Sequence, residues 1–317
     1  MTLHRLEAGP DTVRVGLIDR SYPPLLTVES GDEVELSTWG LWAGEVPFGA
    51  SFDEVMAVRG RYAGRGPHSM TGPIAVRDAR PGQTLRVDVL QLDVGPTGMN
   101  IMTPGAQSRG LLAEEFPHGS VRHFRLDRDT MTADFGAGIT VPLHPFLGIM
   151  GVAPANEGPH ISSVPGPFGG NIDCADLVAG TTLYLPVWAD GALFYAGDAH
   201  ATQGHGEVNG TAMETSMERA RLRLSIVPGL RLAAPRAETR EHWITMDFDP
   251  DLKTAARRAL GAMVDLLSAS AGLERHEAYR LCSLAADLIV TQVVNGHQGI
   301  HVRVAKSLFP AGDAARP

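Results

Sequence analysis

Apolar and polar residues alternate in short runs from the N-terminus to about Met246. TVRVGLI from Thr12, EVELSTW from Glu33, TLRVDVLQLDV from Thr84, TTLYLPVW from Thr181 and RLRLSIV from Arg221 all carry the two-residue period of a strand. Glycine and proline break the runs, and Pro81-Gly82 and Pro228-Gly229 mark turns. The period then lengthens. Asp249 reads as an N-cap ahead of Pro250, and Leu252, Ala255, Ala259, Leu260, Met263 and Leu267 recur at helical spacing. A second helix is expected through EAYRLCSLAADLIVTQVV, residues 277–294, with Leu281, Leu284, Ala285, Leu288 and Ile289 on its apolar side. The pattern predicts an α+β fold, mainly β: a β-sandwich-like sheet body over residues 1–248, with two C-terminal helices, in a segment 249–317, packed on that same body.

Composition narrows the chemistry. A 317-residue chain with 44% hydrophobic and 20% charged residues can bury a sizeable core. No run approaches the roughly 18 apolar residues of a membrane span, and the N-terminus lacks a signal-peptide pattern, so a cytoplasmic protein without membrane partners is expected. A net charge of -9, with the acids scattered, offers no footprint for nucleic acid. The two cysteines, Cys174 and Cys282, exclude a four-thiolate zinc site, so any metal would be held mainly by nitrogen and oxygen. Lys253 and Lys306 are the only lysines. That counts against amidases built on a catalytic lysine, both the Ser-Ser-Lys and the Cys-Glu-Lys types. No G-x-S-x-G elbow, H-E-x-x-H helix or phosphate loop is present.

Candidate chemistry concentrates in GDAHATQGHGE, from Gly197 to Glu207. Asp198 and His200 follow a buried strand end two residues apart, so in extended backbone both point to one face and can share a metal ion. Carboxylate plus imidazole suits zinc, iron(II) or manganese, although the same pair also occurs in surface turns. Gly204 and Gly206 allow the chain to fold back and bring Glu207 toward the pair, as a proton shuttle or a further ligand; a hairpin with a solvated glutamate is the bland alternative. Upstream, PGPFGGNID ends in Asn171 and Asp173, an amide donor and a carboxylate ligand, or else an Asx turn. His68, in GPHSMTGPI, is a lone histidine, more often structural than a ligand.

The chain resembles the acetamidase/formamidase family. The resemblance is carried by MTGPIAVRDARPGQTLRVDVL from Met70, HPFLGIMGVAPA from His144, GPFGGNIDCADLVAGTTLYLPV from Gly166, GDAHATQGHGEVNGTAMET from Gly197 and the tail GLERHEAYRLCSLAADLIVTQVVN. It runs over most of the chain, in order. It implies hydrolysis of a small-molecule substrate, a short linear amide, to a carboxylate and ammonia, in a largely β fold that forms homo-oligomers. It also implies a divalent metal, with zinc the expected ion. Asp173, Asp198 and His200 are then the expected ligands and His68 a lesser one, with Glu207, Asn171 and His205 as catalytic residues. Two departures bear on substrate: His205 stands where the family usually has aspartate (QGDGE), and Ser69-Met70 replaces a proline and a small or aliphatic residue. Rival readings are a hydrolase of another amide, a carbamate or a cyclic amide, a Cys174 nucleophile without a lysine partner, and a non-catalytic metal- or small-molecule-binding protein.

Overall fold

The computed structural model describes residues 1–105 and 109–310. Among these, eighteen strands form one hydrogen-bonded network and two short strands pair separately. The alternating runs are the strands they predict, and all but two of the strand pairings are antiparallel.

Two strands organise the interior. The long strand Glu214–Val227 pairs with Thr84–Met102 on one edge and Asp32–Thr38 on the other. The strand Phe194–His200, buried at every position, lies between Phe146–Gly151 and Ser69–Val76, which are also buried throughout. The two meet where Ala199 registers with Thr215 and His200 with Glu214. Polar residues at the end of Phe194–His200 are thereby held inside the protein by apolar walls on both sides.

Helix α1 (Phe52–Arg61) was not expected, although its start is written in the sequence. Ser51 Oγ accepts from Glu54 N–H while the Glu54 carboxylate accepts from Ser51 N–H, a reciprocal capping box. Helix α2 (Leu252–Ala271) buries Ala255, Ala259, Met263 and Leu267, as its spacing predicts, against the sheet strands His242–Asp249 and Gln298–Ala305. Its N-cap is Asp251, whose carboxylate accepts from Thr254 N–H; Asp249 accepts from Asp251 N–H instead.

The second C-terminal helix is shorter than expected. Helix α3 covers Arg275–Ala285 and buries Ala278 and Cys282, leaving Leu284 79% exposed. From Ala286 to Gln292 the chain is a strand, antiparallel to Gln298–Ala305. The switch follows the side chains: Ile289, Val290 and Thr291 are β-branched, lose rotamer freedom in a helix and pack well on a pleated surface. The C-terminal segment therefore contributes sheet as well as helix. No helix among the described residues is long and apolar enough to cross a membrane.

Candidate metal centre

His200 is the hub of a buried polar cluster. Its Nε2 lies 3.5 Å from Asp198 Oδ2 and 3.3 Å from Glu214 Oε2, and its Nδ1 lies 4.0 Å from Asp173 Oδ1. The two-residue spacing does place Asp198 and His200 together, and the sheet register supplies Glu214 opposite His200. Phe146, the other cross-strand neighbour of His200, packs edge-on against the imidazole at 4.9 Å. His68 Nε2 approaches Asp198 Oδ2 at 3.8 Å, while its Nδ1 bonds Ser162 Oγ at 2.7 Å. Two triads, Asp173–His200–Glu207 and Asp198–His200–Glu214, each bring one oxygen or nitrogen per residue within 4.8 Å of the others, and they share His200.

Three of the cluster's acids sit on left-handed backbone. Asp173, Asp198 and Glu207 all have left-handed φ, at 51°, 55° and 49°. Side chains rarely adopt that region, and such outliers gather at functional sites. Gln203 Nε2 donates to the Asp173 carbonyl at 2.9 Å, and the Asn295 amide donates to the Asp173 carboxylate. Around Glu207, the loop is tied to the C-terminal strand by Gly206 N–H to the Thr291 carbonyl, 3.0 Å, and Val293 N–H to the Gly206 carbonyl, 3.1 Å.

Electrostatics set this cluster apart from an ordinary buried network. Burial first, and Asp198 next, push the Asp173 carboxyl well above its usual range, while burial and then Asp173 do the same to Glu207. Burial alone would depress His200, but Glu214 and Asp198 outweigh it and hold the imidazolium well above its ordinary value. Asp198 shows the converse: burial opposes ionisation, yet His68 and His200 keep it below the usual carboxylate value. His68 stays below its ordinary value because burial dominates there.

The donor set fits a divalent cation. Four buried carboxylates, Asp173, Asp198, Glu207 and Glu214, face a single imidazolium at His200. Asp173 Oδ1, Asp198 Oδ1, His200 Nδ1 and Glu207 Oε2 are buried without a hydrogen-bond partner. Uncompensated buried acids and orphaned donors of this kind cost several kcal/mol unless protons or a cation neutralise them. Oxygen plus imidazole nitrogen, with no thiolate, is the chemistry of zinc, iron(II) or manganese.

Two expected residues make no hydrogen bond or ion pair with the cluster among the described residues. Asn171 is registered with Ile149 two residues ahead of Asp173, and its buried Oδ1 has no hydrogen-bond partner. His205 joins a neighbouring group, 3.8 Å from Asp176 Oδ1 and with its ring 5.2 Å from that of His301, where Asp176 also pairs with Arg303. Sequence reasoning missed Glu214 and Asn295. Glu214 stands inside GDAHATQGHGEVNGTAMET, the stretch already singled out, but only sheet register aims it at His200. Cys174 is fully buried, and burial pushes its thiol far up, which is unlike a nucleophile.

Residues 19–164 and 160–235 match the family model for acetamidases and formamidases. The chain belongs to the acetamidase/formamidase family. The solved structure of an acetamidase from Bacillus halodurans superposes with a TM-score of 0.86 at 29% identity, covering 96% of this chain and 98% of that one. That of an acetamidase from Yersinia enterocolitica gives 0.85 at 26%, covering 98% and 93%. The acetamidase of Mycolicibacterium smegmatis is 24% identical over 250 residues, 59% of each chain. The chain spans about half the length of the curated relatives it matches, 47% and 59%.

Proposed function

We propose that this protein hydrolyses the C–N bond of a short amide, using water to give a carboxylate and ammonia, at a divalent metal held by Asp173, Asp198 and His200. Family membership supports the reaction class. The single observation that carries the metal is the excess of buried carboxylate around His200, with orphaned oxygen and nitrogen atoms, although Asp173 and Asp198 fall in separate triads that meet at His200. When bound, the cation, zinc in this reading, lowers the pKa of a water toward neutrality and polarises the amide carbonyl.

The chain's own residues do the rest. Glu207, with its unpartnered Oε2, takes the water proton and returns it to the nitrogen as the C–N bond breaks, so that ammonia rather than an amide anion departs. The Asn171 amide donates to the carbonyl oxygen as negative charge develops there. His68 steadies Asp198 from the neutral side and is itself fixed by Ser162. Glu214 holds His200 from across the sheet, and His205 positions the loop that carries Glu207 through its contacts with Asp176 and His301.

Ammonia release from a panel of short linear amides, carbamates and cyclic amides, with metal content measured on the same sample, tests this. Turnover that disappears on chelation and returns with zinc is the expected result. Full turnover in a folded, metal-stripped sample would sink the mechanism. Bound metal without release from any substrate would favour the binding-protein reading.

A further inference from the structure

A cavity of about 590 Å³ opens beside the cluster. Its lining includes His68 and Asn295, the residues beside Asp198 and Asp173, so the cavity is separated from the buried cluster by that single layer of side chains. The space is far larger than a formamide or acetamide requires. At roughly 30 Å³ per heavy atom, a water's share of its liquid, acetamide's four heavy atoms need about 120 Å³. The cavity instead falls in the range of about 300–1,000 Å³ found for sites that take larger ligands.

Its charge is as informative as its size. Arg59, Arg65 and Arg109 line it, and among the described residues no aspartate or glutamate does. The patch is locally cationic in a chain of net charge -9. Neighbouring Arg61 is neutralised by Glu45, whereas no ion pair involves Arg59, Arg65 or Arg109 among the described residues. Arg109 lies close enough to Arg59 and to Glu207 to feel both charges, which ties the cationic wall to the catalytic end. Unpaired guanidinium groups in a concave site are suited to planar anions, because they donate two parallel hydrogen bonds to a carboxylate. The remaining wall mixes aromatic and apolar residues, Trp42, Tyr62 and Met56 among them, with the hydroxyls of Thr103, Ser163 and Thr211.

We infer that the substrate of this enzyme is the half-amide of a dicarboxylic acid, with its amide at the His200 cluster and its free carboxylate held by Arg59, Arg65 and Arg109. This rests on the amidase reading and names its substrate class. The reaction balances without any further reactant: the amide and one water give a dicarboxylate and ammonium.

The experiment compares ammonia release from malonamate, succinamate, glutaramate and adipamate with that from neutral amides of the same length, in which a methyl group replaces the carboxylate. At least one half-amide is expected to exceed its neutral counterpart and acetamide by tenfold or more in kcat/KM. That preference should shrink in 0.5 M NaCl, as screening of partly exposed charges requires. In Arg59→Ala, Arg65→Ala and Arg109→Ala the ratio of anionic to neutral kcat/KM should fall toward one, mostly through KM, with Arg109→Lys intermediate and metal content and thermal midpoint unchanged. Equal or better turnover of the neutral amides, or a ratio untouched in the triple alanine variant, overturns the inference while leaving the amidase reading in place. Should no amide release ammonia, the amidase reading fails by itself, and calorimetric titration with glutarate decides the pocket. Binding lost in the triple variant supports an anion site; no binding, or binding indifferent to the arginines, overturns it.

Discussion

At Gly148 the site leaves no room for a side chain. A Cβ there would stand 2.5 Å from Asp173 Oδ1, 2.6 Å from Asp198 Oδ2 and 2.6 Å from His200 Cε1. All three neighbours are buried and held, so they have little freedom to yield. Gly148→Ala is therefore expected to displace the ligands and lower both metal content and turnover by tenfold or more, with the far-UV circular dichroism of the sheet retained; normal metal loading would show that the ligands sit elsewhere. Glu207→Gln separates proton transfer from metal binding, since it preserves shape and burial. It should keep the metal and lose about 100- to 10,000-fold in kcat, the usual weight of a positioned acid–base group. An activity within a few-fold of the parent would remove Glu207 from the proton path. Asp198 and His200 were legible as neighbours from their two-residue spacing, although Asp198 takes a left-handed φ in place of the extended backbone that spacing assumes. Glu214 and Asn295 were not, because they reach the cluster through pairing between segments that the local pattern does not couple.

At the scale of elements, the clearest lesson is the boundary between α3 and the strand after it. The run AADLIVTQVV is apolar enough to serve either period, and only its partner strand Gln298–Ala305 decides. Four of the five runs were unambiguous, because polar residues recur at every second position, whereas TTLYLPVW is a short apolar run whose strand is buried throughout. The N-terminal strand Leu3–Leu6 shows how a short element is tied down by one acid. Asp32 accepts from Thr2 N–H at 2.6 Å and pairs with His4 Nε2 at 2.9 Å. The His4 hydrogen bond, then that from Thr2, hold the Asp32 carboxyl at about 2, below its ordinary 3.8. A depressed carboxyl favours the folded state fully above its unfolded value and loses that contribution as pH falls through the folded one. Urea midpoints measured between pH 4 and pH 2 should therefore fall more steeply in the parent than in Asp32→Asn. Parallel slopes would show that Asp32 is not anchoring the strand.

Across the whole molecule, the cluster gathers residues from distant parts of the chain. His68, Asp173, Asp198, His200, Glu207, Glu214 and Asn295 all reach it, from strands and loops far apart in sequence. A cation bound there joins segments that separate on unfolding, and the unfolded chain offers no such assembled site. Binding to the folded state alone adds stability by mass action, about 2.7 kcal/mol when free ligand is 100 times its Kd. Carboxylates that repel one another in the metal-free protein add to the contrast, because burial and that repulsion both disfavour the charged forms of Asp173 and Glu207. Stripping the protein with a chelator at constant pH should lower its thermal midpoint by several degrees, and added zinc should restore it in a concentration-dependent way. Asp198→Asn, which takes away a ligand charge while preserving shape, should weaken that response. A midpoint indifferent to chelator and zinc in the parent protein would mean that the acids around His200 are satisfied by protons alone, and the metal-dependent mechanism would fall with it.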